Sequence, residues 1–132
     1  MHLVVCLDEQ DGMLFNNRRL SSDKAVCQRV FSQCRGRLMM NNYSAKLFTG
    51  MDILVDDAFL RNAMASDTCF VENLDFVDFL SGVSSITIYR WNRKYPSDVK
   101  FPKALLDGWK LEEVADFCGN SHENITQERY IR

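Results

Sequence analysis

Ile86-Thr87-Ile88-Tyr89-Arg90-Trp91 reads as a strand and divides the chain into two regimes. Its β-branched and aromatic residues suit a pleated, half-buried surface. Upstream of it, short apolar runs alternate with helical patterns. Val4-Val5-Cys6-Leu7, Leu38-Met39-Met40, Ile53-Leu54-Val55 and Cys69-Phe70-Val71 are too short for buried helices and are expected to be strands. Between the first two, Ser21-Ser22-Asp23 supplies a helix cap, and Ala25, Val26, Val30, Phe31 and Cys34 recur at helical spacing until Gly36. Asn42 or Tyr43-Ser44 opens a short helix through Phe48, and Asp56-Asp57 caps another over Ala58 to Ala65. Asn73 caps a fourth, carrying Leu74, Val77, Phe79 and Leu80. The polar segment Asp8 to Ser22, with Asp11-Gly12 and Asn16-Asn17 as turn signals, reads as a long loop.

Downstream the helices disappear. Pro96-Ser97-Asp98 is a turn, Phe101-Pro102 begins an irregular stretch, and Trp109 to Cys118 is partly alternating and read as a strand. Leu111 to Ala115 would also fit a helix. Gly119-Asn120 turns the chain into a last strand from Ile125 to Ile131. Strand and helix in alternation up to Gly82 require a parallel sheet with right-handed crossovers. Strand following strand then adds antiparallel members to that sheet. The predicted fold is therefore α/β. It has a mainly parallel central sheet, helices on both faces and antiparallel C-terminal strands, in one domain spanning residues 1–132.

Composition sets the outer limits. The 132 residues carry 16 basic and 18 acidic side chains, with 46% hydrophobic and 26% charged residues, which is ordinary globular usage. No apolar run approaches the roughly 18 residues that span a bilayer. The first residues lack a basic region and a small-residue cleavage site, so they read as a strand of a cytoplasmic protein. With pI ≈ 5.6 and no Lys/Arg run, a nucleic-acid grip is not expected. Cys6, Cys27, Cys34, Cys69 and Cys118 are odd in number and contain no C-x-x-C, which points to buried, reduced thiols. His2 and His122 are the only histidines, too few for a two-metal hydrolase centre.

Within these limits the chain resembles dihydrofolate reductase and the related reductase domain of riboflavin biosynthesis. The C-terminal third carries most of the likeness. Asp98-Val99-Lys100-Phe101-Pro102, then Trp109, then Ser121-His122-Glu123-Asn124 and the closing Arg129-Tyr130-Ile131-Arg132 resemble that family's D-x-x-F-P … W … Y-x-x-x-R ending. A first strand, Gly12, an Asn-containing loop and the acid Asp23 follow the family's order. The resemblance implies that Asp23 anchors or protonates the substrate ring. Apolar walls would raise its pKa and suit it to proton delivery. The plainer reading is an acid favoured by the helix dipole, worth ~0.3–1 kcal/mol. The neighbouring Arg18-Arg19 pair could attract an anion or be solvated loop charge.

The cofactor side departs from the family. Where a basic phosphate-binding stretch is expected, the chain has Asn41-Asn42-Tyr43-Ser44, leaving the Ser44 hydroxyl and backbone N–H groups. Where the family has a Gly-Gly pair that lets backbone meet the dinucleotide, it has Glu72-Asn73. Asp56 either caps the next helix or meets a ribose hydroxyl, so NADH is conceivable. No basic residue for a folate tail appears in Thr49-Gly50-Met51-Asp52. The leading expectation is a degenerate member with impaired NADPH binding, acting as a small-ligand or protein-binding module. The alternative is an active NADPH- or NADH-dependent reductase of a pterin-like or pyrimidine-like substrate. There Asp23 would be the proton donor, Asn42 and Ser44 would meet phosphate, and Leu7 and Tyr89 would line the substrate pocket. Tyr89 to Tyr95 mixes aromatic and basic residues, as an edge strand or a surface for homo-oligomers would. Phe76 and Phe79 are expected in the core.

Overall fold

The computed structural model describes residues 1–132. Ten strands, three α-helices and three short 3-10 helices follow one another along the chain. The strands are β1 (His2–Leu7), β2 (Gly12–Phe15), β3 (Arg18–Arg19), β4 (Leu38–Met40), β5 (Leu54–Val55) and β6 (Thr68–Phe70). They continue with β7 (Ser85–Arg90), β8 (Val99–Lys100), β9 (Lys110–Phe117) and β10 (Ile125–Ile131). The helices are α1 (Lys24–Gln33), α2 (Asn42–Ala45) and α3 (Phe59–Asn62). Seven strands form one sheet in the order β5-β4-β6-β1-β7-β10-β9, and β3-β2-β8 form a second.

All pairings from β5 to β7 in the large sheet are parallel, whereas β10 runs antiparallel to both β7 and β9. The predicted architecture is thus the observed one. The pleat of β1 shows how the faces are made. Leu3, Val5 and Leu7 enter one core with Met39, Cys69, Ile86 and Ile88, while Val4 and Cys6 face another with Val26, Val30, Met40 and Phe70. Helix α1 covers the second face, and α3 with Phe59 and Leu60 covers the first. Buried on both faces, β4 and the middle of β1 are apolar without alternation, whereas the edge strand β5 is exposed. No helix is long and apolar enough to cross a membrane.

Three expectations need correction. Asp8 to Ser22 is not a long loop, because it contains β2 and β3 as a hairpin. Asn16 and Asn17 both have positive φ, 51° and 60°, the two-residue turn whose twist matches flanking strands. The segment after Asn73 forms no α-helix, only a 3-10 turn over Val77–Gly82, and the residue capping its first N–H is Asp75. Finally, Tyr89 to Tyr95 is no edge strand. Strand β7 lies between β1 and β10 and Trp91 is buried, which leaves Asn92, Arg93 and Lys94 as the exposed part of this segment. Phe76 and Phe79 do pack in the core, Phe76 stacked on Phe101 at 5.7 Å.

The α1 face contains an edge-on aromatic pair where it packs against β6. Phe48, fully buried after α2, meets Phe70 edge-on with ring centroids 5.0 Å apart. Truncating Phe48→Ala is expected to lower the unfolding free energy by ~3–5 kcal/mol in urea titrations, the usual cost of a buried Phe cavity. A loss below ~1 kcal/mol would mean that the face repacks around the gap.

Candidate functional site

In an open α/β sheet, ligands meet the carboxyl ends of strands where the connections diverge to opposite sides. Here that edge is reached by Cys6 of β1, by Phe70 and Glu72 of and after β6, and by Trp91 after β7. Ser21, Ser22, Asp23, Val26, Cys27 and Leu47 close it from the α1 side. The enclosed space is only ≈ 10 Å³, about one water. The edge is full of its own side chains.

Asp23 occupies the helix cap, as its place in the sequence suggests, and its Oδ1 accepts from Ala25 N at 2.8 Å. The same carboxylate accepts from the backbone of Asn120 and Ser121 at 2.9 and 2.8 Å. His122 Nδ1 lies 2.9 Å from Oδ2. This convergence requires Gly119, where an added Cβ would stand 2.6 Å from Asp23 Oδ2. Burial alone would raise the Asp23 pKa. The N–H groups of Asn120 and Ser121, with His122 and Ala25, outweigh it and hold the carboxyl far below the ordinary range. The expected upward shift from apolar walls is therefore reversed, because donors and not hydrocarbon surround the charge.

His122 is the partner that sequence reading missed. It lies far from Asp23 in the chain and becomes adjacent only when the turn between β9 and β10 folds over the start of α1. Trp91 stacks on its ring at 4.7 Å, and Nε2 is 3.0 Å from Ser21 Oγ and 3.3 Å from the Tyr95 hydroxyl. No further His, Cys, Asp or Glu joins them to make a metal site.

The second cluster centres on Glu72. Its carboxylate receives both Arg19 Nε and Nη2, at 2.8 and 3.0 Å, and the buried Ser44 hydroxyl at 2.8 Å. Arg19 also lies over the Tyr43 ring, 4.3 Å from its centroid. Asn41 caps α2 by accepting from Ser44 N, and its own amide donates to Asn73 Oδ1 at 2.8 Å. The Asn42 N–H is taken by Asp57 at 3.0 Å. Asp56 accepts from Ala58 N and Asn62 Nδ2, as a helix-capping acid does. Glu72, Ser44, Asn73 and Asn41 thus come together, while Asn42 turns to Asp57 and Asp56 stays apart.

Leu7 and Tyr89 line neither this edge nor the open cleft described next. Leu7 falls on the opposite pleat from Cys6, deep in the other core. Tyr89 is buried beneath α1, its hydroxyl donating to Gln33 at 3.4 Å and its ring edge-on to Phe117. Burial pushes the Cys27 and Cys69 thiols up to about 11 and about 12, which makes both unreactive near neutrality. A separate cleft of ≈ 510 Å³ lies open beside the hairpin, lined by Phe15, Asn16, Arg18, Arg19, Leu20, Tyr95 and Pro96.

The fold and the ligand edge together define a dihydrofolate-reductase-like α/β scaffold. A solved structure of dihydrofolate reductase from Enterococcus faecalis, complexed with NADP(H) and RAB-propyl, superposes with a TM-score of 0.68. The match covers 99% of this chain and 95% of that one at 10% sequence identity, and so establishes the fold alone. No family model matches the chain, and no curated protein is similar to it in sequence.

Two outcomes follow from the charges. The hydrogen bond from Arg37 and its charge hold Asp67 at about 2, and Asp23 is depressed further. A carboxyl depressed by folding contributes fully above its unfolded value of about 4 and loses that contribution as pH falls through its folded value. Urea midpoints should therefore drop steadily on acidification below ~pH 4, with a shallower drop in Asp23→Asn. Around Glu72, Arg19→Met strands a buried carboxylate and should cost ~3 kcal/mol, whereas Arg19→Met with Glu72→Leu should recover most of it. A double variant as unstable as the single one would show that the pair is not the source.

Proposed function

We propose that this chain is a divergent dihydrofolate-reductase-like protein that binds a small anionic molecule and lacks ordinary NADPH affinity. The observation carrying this reading is the Glu72 carboxylate, seated between Arg19 and Ser44 at the sheet's ligand edge. It consumes the hydroxyl and guanidinium that a phosphate would need, and adds negative charge. Two unit charges ~4 Å apart repel by roughly 1 kcal/mol in water and several times more near a protein surface. The first turn of α2 is also committed, to Asn41 and Asp57. A dinucleotide would have to displace the buried Glu72 and the exposed Asp57 carboxylates and open a filled pocket.

The open cleft offers what that edge withholds. Arg18 is exposed there and pairs with no acid, Asn16 adds an amide, and Phe15 and Tyr95 give aromatic surface. A guanidinium beside aromatic rings suits a flat ligand bearing carboxylate or phosphate. The test is thermal stability with NADPH, NADH and phenyl phosphate. A ligand present at about tenfold its Kd adds ~1.4 kcal/mol. Stabilisation by phenyl phosphate, lost in Arg18→Ala, with none from either nucleotide, is the expected outcome. A shift with NADPH that disappears in Ser44→Ala would instead restore an active reductase, with Asp23 as its proton donor.

A further inference from the structure

Ser21, His122 and Asp23 stand in a linear hydrogen-bonded relay. Asp23 Oδ2 meets His122 Nδ1 at 2.9 Å, and His122 Nε2 meets Ser21 Oγ at 3.0 Å. We propose that this relay makes Ser21 an acyl-accepting nucleophile, and that the protein hydrolyses small esters entering from the open cleft.

The tautomer follows from the partners. Asp23, ionised and buried, can only accept, so the Nδ1 proton points at it and Nε2 presents its lone pair to the Ser21 hydroxyl. That is the arrangement in which an imidazole removes a serine proton. The ring is held by Asp23 at Nδ1 and by Trp91 stacked at 24° between planes, while the Tyr95 hydroxyl, 3.3 Å away, shares the Nε2 lone pair with Ser21. Such fixation is worth more to a general base than to a residue that merely fills space. Ser21 is partly exposed and lines the filled edge pocket, and the relay meets the ≈ 510 Å³ cleft through Tyr95, a wall of that cleft whose hydroxyl lies 3.3 Å from His122 Nε2. The Ser21 and Ser22 N–H groups donate to no acceptor within the protein, leaving donors beside the nucleophile for a developing oxyanion.

The chemistry balances with water as co-reactant. Ser21 Oγ bonds to the ester carbonyl carbon while His122 Nε2 takes its proton. The carbon–alkoxy bond then breaks, and the alcohol leaves with that proton. Water attacks the acyl-Ser21 ester, His122 again carries the proton, and the carbon–Oγ bond breaks to return free Ser21 and a carboxylic acid. A preference for anionic acyl groups, supplied by Arg18, rests on the cleft reading above; the relay itself does not.

The test uses the full chain with p-nitrophenyl acetate and p-nitrophenyl hydrogen succinate. A burst of p-nitrophenolate is expected, with one acetyl group found on the peptide containing Ser21. Ser21→Ala should keep the wild-type melting curve and lose turnover at least ~100-fold. Ser21→Cys should still be acylated at position 21. Equal rates in wild type and Ser21→Ala, or acylation only elsewhere in the chain, would overturn the proposal. Arg18→Ala should lower the ratio of succinyl to acetyl kcat/KM. An unchanged ratio beside an intact Ser21 burst would count against the anionic cleft and leave the triad standing.

Discussion

The Asp23 carboxylate is the constraint on which the candidate site depends. One buried charge starts α1, holds the turn after β9 and fixes the His122 ring, through donors from Ala25, Asn120, Ser121 and His122. Removing such a charge from water is tolerable only because every lone pair is met. The turn can approach closely because position 119 is glycine, and the imidazole is kept in line because Trp91 lies flat on it. The outer antiparallel strands are thereby tied to the parallel core by chemistry as well as by the sheet ladder.

Glu72 plays a parallel part on the other side of the same edge. It gathers Arg19 from the β2–β3 hairpin and Ser44 from α2 onto the end of β6. Three separate elements are thereby bound to a common anion. Arg19 is consumed by this pairing, whereas Arg18 next to it faces the cleft without an acidic partner. Two adjacent arginines therefore serve opposite ends, one closing a pocket and the other furnishing a different one.

Much of the sheet was legible because β1, β4, β7 and β10 carry apolar or β-branched runs that few other structures accommodate. The hairpin was not. Gly12–Phe15 and Arg18–Arg19 are too short to show alternation, although Asn16-Asn17 marks their turn. The segment from Leu74 to Leu80 misleads in the other direction, with helical spacing that yields only a 3-10 turn. At the site, the sequence reveals Asp23 as a cap and places Glu72 just after β6. It cannot reveal His122 beside Asp23 or Arg19 beside Glu72, since both pairings depend on tertiary closure. The pleat phase that puts Cys6 and not Leu7 at the ligand edge is likewise a one-residue matter.

The position of β1 shapes how the molecule assembles. It is the hub of the large sheet, bonded on one side to β6 from Thr68 onward and on the other to β7 from Ser85 onward. Neither neighbour is local, so chain closure must be met before any central ladder returns enthalpy. During synthesis β1 therefore stays without its flanks until β6 and β7 have followed. Val4-Val5-Cys6-Leu7 is an apolar run left unpaired during that interval, the kind of exposed strand that favours aggregation.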